Sequence, residues 1–207
     1  MTCNRMRALS LAAMFLLTAF LASAARAEAP DPAVQQVQTF YNTLLDSMKH
    51  AKELGIKGRY DKLKPVIEQS FDLPDMTRLA VGPSWTTMPA VEQQALLAAF
   101  EFMTVASYAG NFNGYNGEKF VVDPASTARG TDCVVQSKLI AKDQTVPFNY
   151  RMRLADGRWK VIDIYLNGYV SQVATQRSDF GATLASGGAP ALVKKITALA
   201  DKLMSGN

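Results

Sequence analysis

Asp163 is the residue whose setting most invites chemistry. It sits in the apolar run Trp159-Lys160-Val161-Ile162-Asp163-Ile164-Tyr165-Leu166, which breaks at Asn167-Gly168 and continues into "YVSQVATQRSDF". A carboxylate there is either a general base whose pKa burial has raised, or a structural anion satisfied by an arginine or a tyrosine hydroxyl. An unpaired buried charge would be costly. Arg177 likewise offers two roles: an ion pair with Asp163 that ties the last strand to the following helix, or a contact to the polar head of a ligand. Asp72, Asp75 and Asp179 are the other carboxylates worth weighing. His50, the only histidine, lies near a helix end rich in Lys and Glu and reads as a solvent-exposed helix residue. The sequence shows no HExxH, no cysteine pair, no GxSxG, no phosphate-cradling glycine loop and no calcium-binding loop. The expectation is therefore a binding protein with no cofactor and no metal. An enzyme using Asp163 as base, or an adaptor with a filled core, is the alternative. Trp85, in "GPSWTTMP", either stacks on a ligand or plugs a core edge.

The elements that would position these residues follow from periodicity. Asp31-Pro32 starts a helix whose Val34, Val37, Tyr41, Leu44, Leu45 and Met48 recur at helical spacing and which ends near Leu54-Gly55. A short helix with Pro65 in its first turn, another from Pro74 to Ala80, and a long one opened by Pro89 and stopped at Gly110 come next. In the long helix Val91, Leu96, Phe100, Met103 and Ser107 line one side. Past Gly117 the period drops to two, and Lys119 to Val122, Cys133 to Ala141, Thr145 to Ala155 and Arg158 to Leu166 read as strands. Asp143-Gln144 and Asp156-Gly157 supply hairpin turns. Two helices, 169 to 185 and 190 to 204, close the chain. The fold class is α+β, a four-stranded antiparallel meander wrapped by about six to seven helices. The last strand puts Trp159, Val161, Asp163 and Tyr165 on one face and Lys160, Ile162, Ile164 and Leu166 on the other. Both faces are largely apolar, which means either helices on both sides or a cavity holding something apolar.

The first 27 residues read as a cleaved export signal: Arg5 and Arg7, an apolar run Ala8 to Ala22, then Ala25-Arg26-Ala27 before Glu28. The run is shorter than the roughly 20 apolar residues of a membrane anchor. The segment holds three arginines and no acid, so the chain's 22 Lys and Arg fall to 19 against 18 acids. No basic field for nucleic acid remains. Residues 28–207 then form one domain, soluble in the periplasm, monomeric, with a single cysteine, Cys133, and no internal disulfide.

Three stretches, "FDLPDMTRLAVGPSWTTMPAVEQQALLAAFEFMTVASYAG", "VPFNYRMRLADGRWKVIDIYLNGY" and "QRSDFGATLASGGAPALVKKI", in this order, resemble the MlaC or toluene-tolerance family. The resemblance covers about residues 33 to 200. It implies a periplasmic lipid-binding protein that works with an inner-membrane ABC transporter and an outer-membrane lipoprotein complex. Gln176 replaces the tyrosine of the family's Tyr-Arg-Ser-x-Phe, a departure that leans toward the hopanoid-associated HpnM branch and leaves the lipid as phospholipid or hopanoid. The resemblance also implies an apolar cavity between sheet and helices. Combined with the apolar faces, it nominates Phe148, Tyr150, Met152, Val161, Tyr165, Phe102 and Tyr108 as its lining, with Leu79 and Trp85 at an edge. The last helix, with Leu192, Ile196, Leu199 and Leu203 on one side, reads as a docking surface or an amphipathic cap.

Overall fold

The computed structural model describes residues 30–206, so the expected export signal lies outside the described residues. In chain order the helices α1 (Pro32–Lys49), α2 (Ala51–Ser70) and α3 (Leu73–Val81) lead through a 3-10 turn, Gly82–Thr87, into α4 (Ala90–Asn111). The strands β1 (Lys119–Val122), β2 (Thr127–Arg129), β3 (Asp132–Val135), β4 (Ser137–Ile140), β5 (Thr145–Ala155), β6 (Arg158–Leu166) and β7 (Val170–Ser171) follow. Helix α5 (Gln172–Met204) ends the chain.

Among the described residues, seven strand segments and five α-helices replace the four strands and six to seven helices expected. The difference lies in interruptions. β3 and β4 hold one continuous antiparallel register with β5 on either side of Gln136. β1 and β2 pair with β4 and β3, displaced in register by the excursion at 123–126. The meander of four is thus present with two of its strands broken, and β7 adds a short edge to β6. The helices err the other way. Gly55 (φ 58°) is a kink inside α2 and Pro65 lies in that helix's interior, not in its first turn. Gly188 (φ 65°) kinks α5, joining the two helices read separately. Asp31 caps α1 as its sequence suggests, accepting from Ala33 N at 2.9 Å, and also holds the 123–126 excursion through Ser126 N and Oγ. Burial pushes its carboxyl up, but these donors outweigh that and hold it below its ordinary value.

The pivotal feature is a bulge in β6. Asp163 pairs with Arg151 and Val161 with Met152, so Ile162 is an extra residue. Cross-strand partners share a face. Val161 therefore joins Met152 on the helix side, with Ile164 beside Tyr150 and Leu166 beside Phe148, while Asp163 and Tyr165 stand with Arg151 and Asn149 on the other side. The two apolar faces read from strict alternation are one face whose phase changes midway. The helices pack on that face, where Phe40, Tyr41, Phe71, Tyr108 and Tyr150 meet edge-on or tilted at 5.1–6.4 Å between ring centroids. Arg59, buried, donates to Ala109 O at 2.8 Å and Ala51 O at 2.9 Å, pinning α2 to the carbonyl end of α4. Val91, by contrast, is 75% exposed because the first turn of α4 projects beyond the core. In α5 Leu192 and Ile196 are buried, which withdraws most of the suggested docking face and makes it packing.

On the opposite face Asp132, 4% exposed, accepts from Arg151 Nε at 2.7 Å and Arg153 Nε at 2.8 Å. Arg153 continues to Asp75 of α3 at 3.0 Å. The guanidinium of Arg153, then that of Arg151, holds the Asp132 carboxyl below the usual carboxylate range. A depressed folded-state pKa gives stability that is complete above the unfolded value, about 4, and is lost as pH falls through that value toward the folded one. Asp132→Asn should lower unfolding stability by about 2 kcal/mol at neutral pH. It should also flatten the loss of stability on acidification, read by urea denaturation at a series of pH values. An unchanged acid limb would place that proton uptake elsewhere.

Asp163 is a cap. Its Oδ1 accepts from Ile164 N at 2.8 Å and Val173 N at 3.1 Å, and its Oδ2 accepts from Ser171 Oγ at 2.6 Å, while Ser171 Oγ accepts from Ala174 N. The carboxylate thus docks the first turn of α5 on the bulge. Asp163→Ala orphans three donors and should cost about 2–3 kcal/mol. Asp163→Asn, which keeps an acceptor oxygen, should cost less; equal losses by denaturant titration would mean that the charge and not the acceptor geometry matters.

Candidate functional site

A cavity of about 290 Å³ lies between the sheet and helices α3, α4 and α5. Its sheet wall is Phe148 of β5 with Ile164 and Leu166 of β6, the residues that the bulge turns inward. Phe71 and Met76 close one end. The helical wall is the stripe Phe100, Met103, Thr104, Ser107, Tyr108 and Asn111 of α4, at spacings of three and four, with Phe112 beyond it. Gln172 and Gln176 of α5 complete the lining. No Lys, Arg, Asp or Glu is among these residues. Tyr108 is the one titratable group, and burial pushes its hydroxyl far above the ordinary tyrosine value, so it stays neutral.

The structure brings only two of the nine nominated residues, Tyr108 and Phe148, to this cavity. Tyr150, Met152 and Val161 share the face of Phe148 but are 2%, 0% and 2% exposed, consumed by the aromatic core. The hydroxyl of Tyr150 is raised by that burial. Its neighbour Tyr41, pushed up to about 12 by burial, shares a 2.7 Å hydrogen bond with Ser137 Oγ. Phe102 points from the other flank of α4 and meets Tyr60 edge-on at 5.8 Å. Tyr165 stands on the opposite sheet face, where its hydroxyl accepts from Arg129 Nη1 at 2.9 Å.

Leu79 and Trp85 belong to two separate surface grooves. Leu79 lies with Arg151, Ile162, Asp163, Ser171 and Arg177. Trp85 lies with Asp72, Asp75, Arg78 and Arg153. Arg177 shares a groove with Asp163, yet no ion pair joins them among the described residues: the carboxylate is filled by Ser171 and two amides. The Arg177 guanidinium instead lies against Gly82, where a Cβ would come within 2.8 Å of its Nε and where φ is 74°. That contact links the "GPSW" turn to the "QRSDF" helix and explains a glycine there twice over. Asp72 caps α3 through Asp75 N, Asp179 is exposed, and exposed His50 closes α1 with Nδ1 2.9 Å from Asp46 O. None of them reaches the cavity, and with Asp163 outside it, no carboxylate is placed to act as a base within it.

Sequence reasoning missed Ile164 and Leu166, which a strict period of two assigns to the wrong face. It also passed over Met76, Thr104, Asn111 and Gln172. The α4 stripe was available in the spacing of Phe100, Met103 and Ser107; the face change in β6 has no signal in residue type. Among the described residues no helix is long and apolar enough to cross a membrane, and no cluster of metal-ligating side chains forms.

Comparison with known proteins bears on this arrangement. The structure of a phospholipid-binding protein from Ralstonia solanacearum, solved in complex with a phospholipid, matches with a TM-score of 0.72 at 23% sequence identity, over 83% of this chain and 98% of that one. The likeness is one of fold. Among curated proteins none matches. The family model described as "MlaC protein" matches residues 38–198, a span that runs from α1 into the last turns of α5 and takes in both walls of the cavity. By that match the chain belongs to the MlaC family.

Proposed function

We propose that this protein is a lipid carrier that shelters hydrocarbon in the cavity between β5–β6 and α4–α5. The observation that carries the reading is the lining itself: a concave, mostly aromatic and aliphatic surface without a formal charge, in a fold shared with a protein solved on a phospholipid. Such a surface suits an acyl chain or a fused hydrocarbon ring system and offers nothing to a charged substrate. The same lining argues against the enzyme reading, since Asp163 is spent as a helix cap on the other face. It argues against the adaptor reading as well, because an adaptor needs no cavity.

In this reading residues 1–27 direct export and are removed, and residues 28–207 act as one monomeric domain in the periplasm. The partners are an inner-membrane ABC transporter complex and an outer-membrane lipoprotein complex, between which lipid is passed. Gln176 at the family's tyrosine position leans this reading toward the hopanoid-associated HpnM branch, with phospholipid the other cargo.

Energetics favour a shuttle that docks. At about 0.8 kcal/mol per methylene, two chains of roughly fifteen methylenes each gain about 24 kcal/mol on leaving water. A bilayer offers nearly the same gain, so loading is close to even in free energy and is limited by exposure of the tails in transit. At about 290 Å³ the cavity lies at the bottom of the roughly 300–1,000 Å³ range of small-ligand pockets. A full lipid must widen it. Met76 and Met103, both unbranched and adaptable, line the wall that would give.

Native mass spectrometry of the mature protein, before and after incubation with lipid vesicles, tests the reading: one bound lipid per chain is expected. Thr104→Trp, which fills the cavity from α4, should cut uptake roughly tenfold or more while circular dichroism stays that of the folded protein. A protein that neither retains nor takes up lipid would sink the carrier reading in favour of an adaptor.

A further inference from the structure

The sheet face turned away from the aromatic core is rich in bases. Register and alternation place Lys119, Arg129, Lys138, Arg158 and Lys160 on the same face as Arg151 and Arg153. Arg151 and Arg153 are spent on Asp132 and Asp75. The other five enter no ion pair among the described residues; Lys160 is half-buried and the rest are exposed. The two acids of the face, Asp132 and Asp163, are both taken, and Glu118, Asp143 and Asp156 lie in turns at its edges. The near balance of charge over residues 28–207 thus hides a segregation.

At one end of this face stands the turn between β6 and β7. Asn167 (φ 54°) and Gly168 (φ 82°) make it tight, and Asn149 Nδ2 donates to Gly168 O at 3.2 Å. Its tip presents Tyr169, 78% exposed, with Val170 beside it. Leu166 and Gln172, on either side of the tip, both line the cavity. At the cavity's inner end Phe71, Met76 and Phe100 are buried, whereas Phe112, Leu166 and Gln172 are half-buried and Asn111 is exposed. The cavity therefore opens beside this turn. Two of the unpaired bases reach the same end: Lys138 pairs with Pro147, which lies against Gly168, and Arg129 Nη1 donates to Tyr165 Oη at 2.9 Å.

We propose that the protein docks on an anionic bilayer through this face, with the Tyr169-Val170 tip in the headgroup layer and the mouth of the cavity beside the membrane. The docking stands on charge and exposure; only its use in lipid transfer rests on the carrier reading. Bases gain from the potential of an anionic surface, and a tyrosine ring settles at headgroup level with its hydroxyl wet. The unpaired bases are spread along the sheet on long flexible stems, which suits a fluid layer of mobile anions better than a fixed set of carboxylates.

Cosedimentation of the mature protein with vesicles tests this. Equimolar phosphatidylglycerol and phosphatidylcholine should bind it at least about tenfold better than phosphatidylcholine alone, and the preference should fade in about 0.5 M salt. Arg129→Glu with Lys138→Glu should weaken that binding roughly tenfold. Lys194→Glu with Lys202→Glu, the same change of charge at exposed positions of α5, should leave it within about twofold. Lys138→Glu alone repeats the test should the first pair unfold. Tyr169→Trp should add fluorescence, over that of the natural protein, that brominated acyl chains quench. No preference for anionic vesicles, equal losses in the two double variants, or an added fluorescence that brominated chains leave untouched would each overturn the proposal. If anionic vesicles are not bound while native mass spectrometry finds lipid taken up, the docking falls, the carrier reading stands, and the face fits an acidic protein instead. Docking without uptake supports the proposal and sinks the carrier reading.

Discussion

One extra residue in β6 organises this molecule. Without the bulge at Ile162, strict alternation would put Asp163 on the same side as Val161, facing the aromatic core, and would turn Ile164 and Leu166 away from it. A carboxylate among Phe40, Tyr41 and Tyr150 would have to be neutralised or paired, with only tyrosine hydroxyls among those residues to meet it. The bulge sends Asp163 to the face where the first turn of α5 offers donors, and the same shift brings Ile164 and Leu166 beside Tyr150 and Phe148. The anchoring of α5 and the apolar sheet wall of the cavity are thus two results of one register change. Bulges re-aim side chains at a sheet's functional rim, and this one serves both tasks at once.

The ionic groups follow the same division. Asp132, Arg151, Arg153 and Asp75 form a network on the outer face of the sheet, and Arg177 rests on Gly82 nearby. The lining of the cavity carries none. With Asp132 nearly sealed from solvent and both its arginines only partly exposed, the network is held by charge-assisted hydrogen bonds more than by long-range attraction. A sheet with one face committed to hydrocarbon and the other to paired charges has its register strongly specified, since any slip by one residue would exchange the two.

Much of this was legible in residue order. The helix start at Asp31-Pro32, the hairpin turn at Asp156-Gly157 with positive φ at both residues, the switch of period after Gly117 and the α+β class all follow from local chemistry. The site was less so, for reasons that differ by residue. Tyr150 and Met152 share the face of Phe148, yet a face contains both wall and filled core, and only packing divides them. Phe102 lies off the cavity because its flank of α4 is turned to Tyr60. Tyr165 failed because periodicity cannot see a bulge. Gln176 was noticed only as a departure from a pattern; that its oxygen is buried without a partner is a fact of three dimensions.

In the carrier reading, a cavity of about 290 Å³ would have to widen to take a whole lipid. Burial of every methylene in a rigid, preformed pocket would hold lipid against the bilayer by whatever margin the pocket's packing exceeds that of fluid chains. Release would then be slow. A pocket that must part α4 from α5 on loading sets the lost packing between those helices against the hydrocarbon gain, and so binds less tightly than burial alone would give. The tight contacts on the two sides of the cavity make that opening local. Gly110 sits against Leu203 at one end of the helix pair and Phe100 meets Phe180 edge-on, 6.5 Å between centroids, further along. The part of α5 before the Gly188 kink carries Gln172 and Gln176, while the part after it carries the buried Leu192 and Ile196. The first part is packed as well, through Val173 and Phe180, so opening there must set those contacts against whatever the cavity gains.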